Sequence, residues 1–251
     1  MRKPIIAGNW KMFKTVEESV NLATALVPLV CKTEHCEVVI CPTFTALASV
    51  KNAIDDSCIK IGGQNLYWEK EGAFTGEISG PMLKSAGCDY VLIGHSERRQ
   101  YFGETDATVN KKIFAALDNG LKAIVCIGET LQERESNNTF KVIEKQVKDG
   151  LKGLTAEQWK NIVIAYEPVW AIGTGKTASK EQAQEVHAFI RKELATLFGA
   201  AVADGARILY GGSVKPENVK ELMSQSDIDG ALVGGAALKA ESFAGIVHFN
   251  K

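Results

Sequence analysis

The stretch Ile162-Val163-Ile164-Ala165-Tyr166-Glu167-Pro168-Val169-Trp170-Ala171-Ile172-Gly173-Thr174-Gly175-Lys176-Thr177 sets the pattern from which the fold is read. An apolar run ends abruptly in one carboxylate, then a proline, two large apolar residues and a glycine-rich tip follow. Short, nearly continuous apolar runs are typical of strands covered on both faces. This one delivers Glu167 to its own end, beneath a loop. Pro168 stiffens one end of that loop, while Gly173 and Gly175 let its tip adopt conformations other residues avoid. Val169, Trp170 and Ile172 are costly to leave in water, so the loop is expected to close over something. The plain alternative is a strand-to-helix connection with an incidental glutamate. A nucleotide-binding loop is rejected, because the glycine it needs five positions before Gly175 is Trp170.

The same unit recurs along the chain. Apolar runs rich in β-branched residues occupy 5–7, 38–41, 59–62, 90–93, 123–127, 162–166, 208–210 and 231–233. Amphipathic segments separate them. Val16, Val20, Ala23, Val27 and Val30 form one stripe, introduced by Thr15 and Glu18 at capping-box spacing. Ala183, Val186, Ile190, Leu194 and Leu197 form another, which makes His187 a helix residue with no special task. Eight such strands predict an α/β fold, a closed (β/α)₈ barrel of parallel strands with outer helices, spanning 1–251 as a single domain. A doubly wound open sheet is the runner-up, but its glycine-rich first turn is replaced here by Gly8-Asn9-Trp10-Lys11.

Composition narrows the function. The 251 residues carry 29 basic and 30 acidic side chains, a formal net charge of −1, which suggests neither a nucleic-acid nor a membrane partner. The start of the chain lacks the apolar region of a signal peptide, so a soluble, cytoplasmic protein with free thiols is expected. Cys31, His35, Cys36 and Cys41 cluster in sequence, but at no structural zinc spacing, and no metal is expected. Cys126, inside an apolar run, reads as a small buried hydrophobe.

Barrel closure brings the C-terminal ends of the strands to one rim, so residues distant in sequence meet there. The first strand offers Asn9 and Lys11. The fourth ends in Gly94-His95-Ser96-Glu97-Arg98-Arg99, the sixth in Glu167, the seventh in Tyr210-Gly211-Gly212-Ser213 and the eighth in Gly234-Gly235. Glycine turns after the last two strands suit a phosphate, because bare backbone N–H groups can approach an anion from several directions. A short helix after Gly235 would aim its positive end there. His95 precedes a helix start whose partial positive charge disfavours protonation, leaving a neutral hydrogen-bond donor. Glu97 is a partner for Lys11 or Arg98, or a favourable charge in the first helical turn. One base, one neutral donor, one cation and a phosphate cradle suit proton abstraction beside a carbonyl, without metal or organic cofactor.

Taken in order, Gly8-Asn9-Trp10-Lys11-Met12, the segment from Ile93 to Arg99, the segment from Ala165 to Thr177, Tyr210-Gly211-Gly212-Ser213 and Gly234-Gly235 closely resemble the motifs of the triosephosphate isomerase family. The resemblance covers nearly the whole chain. It implies interconversion of dihydroxyacetone phosphate and D-glyceraldehyde 3-phosphate, a step of glycolysis and gluconeogenesis. Glu167 would be the base and His95 the neutral electrophile, a pairing for which this family is itself the usual illustration. Lys11 and Asn9 would hold substrate and stabilise charge, Glu97 would support them, and Gly173, Ser213, Gly234 and Gly235 would grip the phosphate. Loop 168–177 would be a mobile lid. Two residues depart from the family pattern: Phe13 where a polar residue is usual, and Ala237 in place of a frequent serine.

Residues 64–79 form a long loop carrying Tyr67, Trp68 and Phe74, whose aromatic content suggests an interface. The resemblance implies a homodimer in which this loop, with Thr75 near its tip, reaches a second subunit close to Lys11 and His95. Two rival functions remain. An imine-forming aldolase would want its lysine at or within a strand in place of Glu167, and a mere phosphate binder would need neither Glu167 nor His95.

Overall fold

The structure is a computed structural model that describes residues 2–172 and 177–250. Strands β1 (Ile5–Asn9), β2 (Glu37–Cys41), β3 (Lys60–Gly63), β4 (Tyr90–Ile93), β5 (Lys122–Ile127), β6 (Ile162–Tyr166), β7 (Arg207–Tyr210) and β8 (Gly230–Val233) form a closed parallel barrel in chain order. Ile5 of β1 faces Glu37 of β2 on one side and Gly230 of β8 on the other, which closes the sheet without an edge. Closure excludes the doubly wound alternative. Every expected strand is present within two residues of its reading. The third is shifted by one, because Ile59 lies ahead of β3 with its N–H on Ser57 Oγ at 3.3 Å.

Alternation along each strand divides the core in two. Twelve side chains, among them Ile5, Val39, Tyr90, Ile124, Val163 and Leu209, fill the barrel interior. That number matches three stacked layers of four, so the interior is packed rather than hollow. From β3 the interior receives only Gly62, where a Cβ would sit 2.7 Å from Cys41 Sγ and 3.3 Å from Tyr90 Cβ. Alternate residues such as Ile6, Val38, Ile40, Val91 and Ile93 face the helices and join the larger outer core.

The first helix, Val16–Val30, begins as read: Thr15 Oγ1 accepts from the Glu18 N–H at 3.3 Å, and Glu18 Oε2 accepts from the Thr15 N–H at 2.8 Å. Its buried face, however, is Ser19, Ala23, Leu26 and Val30. Ala23 and Val30 are buried as read, but Val16 is exposed and Val20 and Val27 are only partly covered, with Ser19 and Leu26 buried instead. In the helix Lys180–Phe198 the stripe is right except at its end, where Leu197 is exposed. Cys41 separates from Cys31, His35 and Cys36, its neighbours in sequence. Cys41 enters the barrel interior, and His35 Nε2 bonds the Val247 carbonyl at 2.9 Å. Among the described residues no helix is long and apolar enough to cross a membrane.

His187 is fully buried beside the rings of Tyr166 and Tyr210, with Nδ1 3.1 Å from the Asp227 carbonyl and Nε2 unpartnered. Burial pushes its pKa down to about 4. An unfolded histidine takes a proton near pH 6.5, so the unfolded chain binds more protons between these values. Stability is therefore fully present above pH 6.5 and falls by roughly 3 kcal/mol as the pH drops toward 4. A His187→Asn variant keeps a donor for Asp227 but cannot titrate. Urea unfolding at pH 7 and pH 4.5 should show a smaller acid loss for the variant; an equal loss would clear His187 of the effect.

Candidate active site

The C-terminal ends of five strands surround a cavity of about 810 Å³, lined by Asn9, Lys11, His95, Glu167, Ser213, Gly234 and Gly235 among others. These residues come from β1, β4, β6, β7 and β8, as the strand-end reading required. Glu97 stands behind Lys11 instead of lining the cavity. Gly173 lies outside the described residues, as does the rest of the loop tip, 173–176.

Glu167 follows β6 and is only 2 % exposed. Its backbone N–H extends the ladder to the Ile127 carbonyl at 2.7 Å, which fixes where the side chain starts. Two glycines make room for it. A Cβ on Gly128 would fall 1.7 Å from the Glu167 carbonyl oxygen, and one on Gly211 would fall 2.8 Å from Glu167 Cγ. Oε2 accepts the Ser96 N–H at 3.0 Å, and Oε1 lies 3.0 Å from His95 Nε2. Burial favours the protonated acid, but His95, the Ser96 N–H and Lys11 outweigh it and hold the pKa below the ordinary glutamate value.

His95 caps the helix Ser96–Phe102, and its Nδ1 accepts the Glu97 N–H at 3.2 Å. With a donor facing Nδ1, the ring proton belongs on Nε2, directed at Glu167. Burial favours the neutral ring, yet Glu167 and Glu97 together raise its pKa above the usual histidine value. The helix-start argument for a neutral His95 is thus incomplete without ligand, because it omits the carboxylate opposite. That carboxylate comes from a strand seventy residues on, and sequence distance hides it.

Lys11 adopts φ 50°, a left-handed conformation that costs a non-glycine residue about 1 kcal/mol. Its N–H donates to Asn9 Oδ1 at 3.0 Å, and its carbonyl accepts from Gln64 Nε2 at 2.8 Å. Asn9 therefore shapes the turn. Lys11 Nζ reaches Glu97 Oε1 at 2.5 Å, which resolves the partner of Glu97, while Arg98 pairs with Glu104 instead. A Cβ on Gly234 would lie 3.9 Å from Lys11 Nζ, so the ammonium stands beside the last glycine turn. The short helix expected after Gly235 is a four-residue 3₁₀ helix, Gly235–Leu238, and Gly235 faces open space. Ala237 in that turn is buried with its Cβ 3.0 Å from where a Cβ of Gly8 would lie; the small residue fits a tight contact.

The strand-end reading passed over β3 and β5, and both contribute. Gln64 ties Lys11 to Cys41 through two carbonyls, at 2.8 and 2.9 Å. Glu129, fully buried after β5, accepts from Tyr166 Oη at 3.0 and 3.1 Å and from Trp170 Nε1 at 3.0 Å. Its carbonyl also accepts the Val169 N–H at 3.1 Å. Both positions obey the rule that found the others. The described start of the loop is thereby pinned to a buried carboxylate.

Comparison with known proteins follows this geometry. A sequence model of the family described as triosephosphate isomerase matches residues 4–250. The chain is 62 % identical over 249 residues to the triosephosphate isomerase of Trichlorobacter lovleyi, covering 99 % of each chain. It is 62 % identical to that of Moorella thermoacetica over 251 residues, the full length of both. The crystal structure of triosephosphate isomerase from Bartonella henselae superposes with a TM-score of 0.90 at 43 % identity, over 99 % of each chain.

The geometry makes a prediction independent of turnover. His95→Gln removes a contact that holds the Glu167 pKa down and leaves burial, which raises it. Carboxyl ¹³C NMR of labelled protein should show Glu167 protonating at higher pH in the variant. An unchanged titration would mean that the Ser96 N–H and Lys11 alone set its charge.

Proposed function

The chain belongs to the triosephosphate isomerase family, and we propose that it interconverts dihydroxyacetone phosphate and D-glyceraldehyde 3-phosphate by proton transfer through an enediolate. The observation that carries this reading is the buried Glu167 carboxylate facing His95 Nε2 at 3.0 Å, with Lys11 on the same cavity wall. A substrate that reacts with both must come between them. Glu167 then leaves His95 and Ser96, takes the proton from the carbon beside the carbonyl and returns it to the neighbouring carbon. His95 Nε2–H turns to the two substrate oxygens. Burial is the largest influence on its pKa, so once the carboxylate withdraws the ring is neutral, as a hydrogen-bond donor to an enediolate oxygen must be. This division of labour is the one for which the family is the standard example.

Lys11 supplies a fixed positive charge next to the developing oxyanion, held there by Glu97 and positioned by Asn9. The bare turns at Gly212–Ser213 and Gly234–Gly235 present backbone N–H groups to the phosphate. Loop 168–177, Gly173 included, acts as the lid, again a role for which this family serves as the common example. Closure keeps water away from an intermediate that otherwise expels phosphate. The reading needs no metal or organic cofactor, because each charge that develops has a protein group opposite it.

The same reading includes a homodimer through loop 64–79. Within that loop Tyr67 stacks on Trp68 at 4.1 Å and meets Phe74 at 4.6 Å, which covers the first two rings in part. Phe74 remains exposed, and so do Met12 and Phe13 after β1, Met82 in the helix Gly80–Ser85, and Tyr101 and Phe102 at the end of the helix Ser96–Phe102. Exposed Phe13, where a polar residue is usual, fits an apolar contact of this kind. A second copy is the occupant whose apolar surface would match.

Purified protein should convert D-glyceraldehyde 3-phosphate to dihydroxyacetone phosphate in excess EDTA, and a folded protein that cannot would overturn the proposal. Glu167→Ala should lose on the order of 10²–10⁴ in kcat, the range for a general base; near-wild-type turnover would remove Glu167 from that role. Sedimentation should give twice the chain mass, and a fully active monomer on dilution would refute the dimer.

A further inference from the structure

Cys31 and Cys58 are distant in sequence and adjacent in space. Cys31 ends the helix Val16–Val30 as its C-cap, with its N–H on the Val27 carbonyl at 3.0 Å. Cys58 lies between the helix Leu47–Ala53 and β3. The Cys58 N–H donates to Cys31 Sγ at 3.2 Å, which sets the two cysteines side by side. Cys58 is exposed and Cys31 half-buried, so small oxidants reach both. The other cysteines, Cys36, Cys41, Cys88 and Cys126, are buried, and Cys36 Sγ is already turned to the Val247 carbonyl at 3.8 Å. The pair sits at the N-terminal rim, where β3 begins, away from the cavity that holds Glu167.

We propose that Cys31 and Cys58 are a modification site: a reversible disulfide, formed by a hydroperoxide and broken by a dithiol, that ties the end of the first helix to the entrance of β3. The order of events follows from the contact. The Cys58 N–H is aimed at Cys31 Sγ, while partial burial and the neighbouring sulfur push the Cys58 thiol up, so Cys31 is placed as the attacking sulfur. The Cys31 thiolate attacks one peroxide oxygen; an S–O bond forms, the O–O bond breaks, and the leaving oxygen takes a proton as water. Cys58 sulfur then attacks the Cys31 sulfenyl sulfur. The S–S bond forms, the S–O bond breaks, and the hydroxide departs with the Cys58 proton as a second water. Two thiols lose two electrons in all, and the peroxide gains them. A transient bridge of this kind is the form disulfides take in a reducing compartment.

The test is to treat the native protein with stoichiometric hydrogen peroxide, alkylate, digest with trypsin without reduction and weigh the peptides. Peptides 15–32 and 52–60 should appear joined, two hydrogens lighter than their sum, and separate with dithiothreitol. Closing this loop should raise Tm by roughly 5 °C, reversibly, with isomerase turnover unchanged. Neither effect should survive in Cys31→Ser or Cys58→Ser. Peptide 52–60 joined instead to 33–51, which holds Cys36, would overturn the pairing, and irreversible oxygen addition at Cys58 without any cross-link would overturn the reversible bridge.

Discussion

The structure depends on keeping one carboxylate charged where water hardly reaches it. Removing an ion from water costs several kcal/mol unless donors replace the lost hydration. For Glu167 those donors are the Ser96 N–H and His95 Nε2, at 3.0 Å each. They can approach only because the strands on either side of β6 end in Gly128 and Gly211, whose missing side chains leave room for the Glu167 backbone and Cγ. Those glycines fix how β5 and β7 leave the barrel. The register of the sheet, the shape of three adjacent loops and the charge of the central acid are parts of one requirement.

Lys11, lining the same cavity, shows the same economy. Its left-handed turn is unfavourable for a lysine, and two side chains, Asn9 and Gln64, hold both sides of its peptide. Glu97 then restrains the ammonium. A long flexible side chain on a surface loop has no fixed position, whereas this one has lost most of its freedom before any ligand arrives. Preorganisation of this kind lets a charge act without reorganising during a reaction.

The fold was legible because apolar runs of a parallel barrel are short, frequent and separated by helical periods. That Asn9, Lys11, His95, Glu167, Ser213, Gly234 and Gly235 meet was legible because barrel closure converts strand ends into neighbours. What escaped has physical reasons. The buried face of the first helix was read correctly at Ala23 and Val30 but not at Ser19 and Leu26, since apolar residues at helical spacing allow more than one stripe. The state of His95 was only half readable, because its own helix argues for neutrality while Glu167, close in space alone, argues against it. Gln64 and Glu129 follow strands whose ends were not weighed.

The filled barrel interior has a consequence for traffic. Twelve packed side chains leave no channel through the sheet, so the cavity has a floor and opens at one end only. Reactant and product share a single doorway and the same standing room. Each must vacate before the other can enter, which makes every product molecule a competitor of its own precursor.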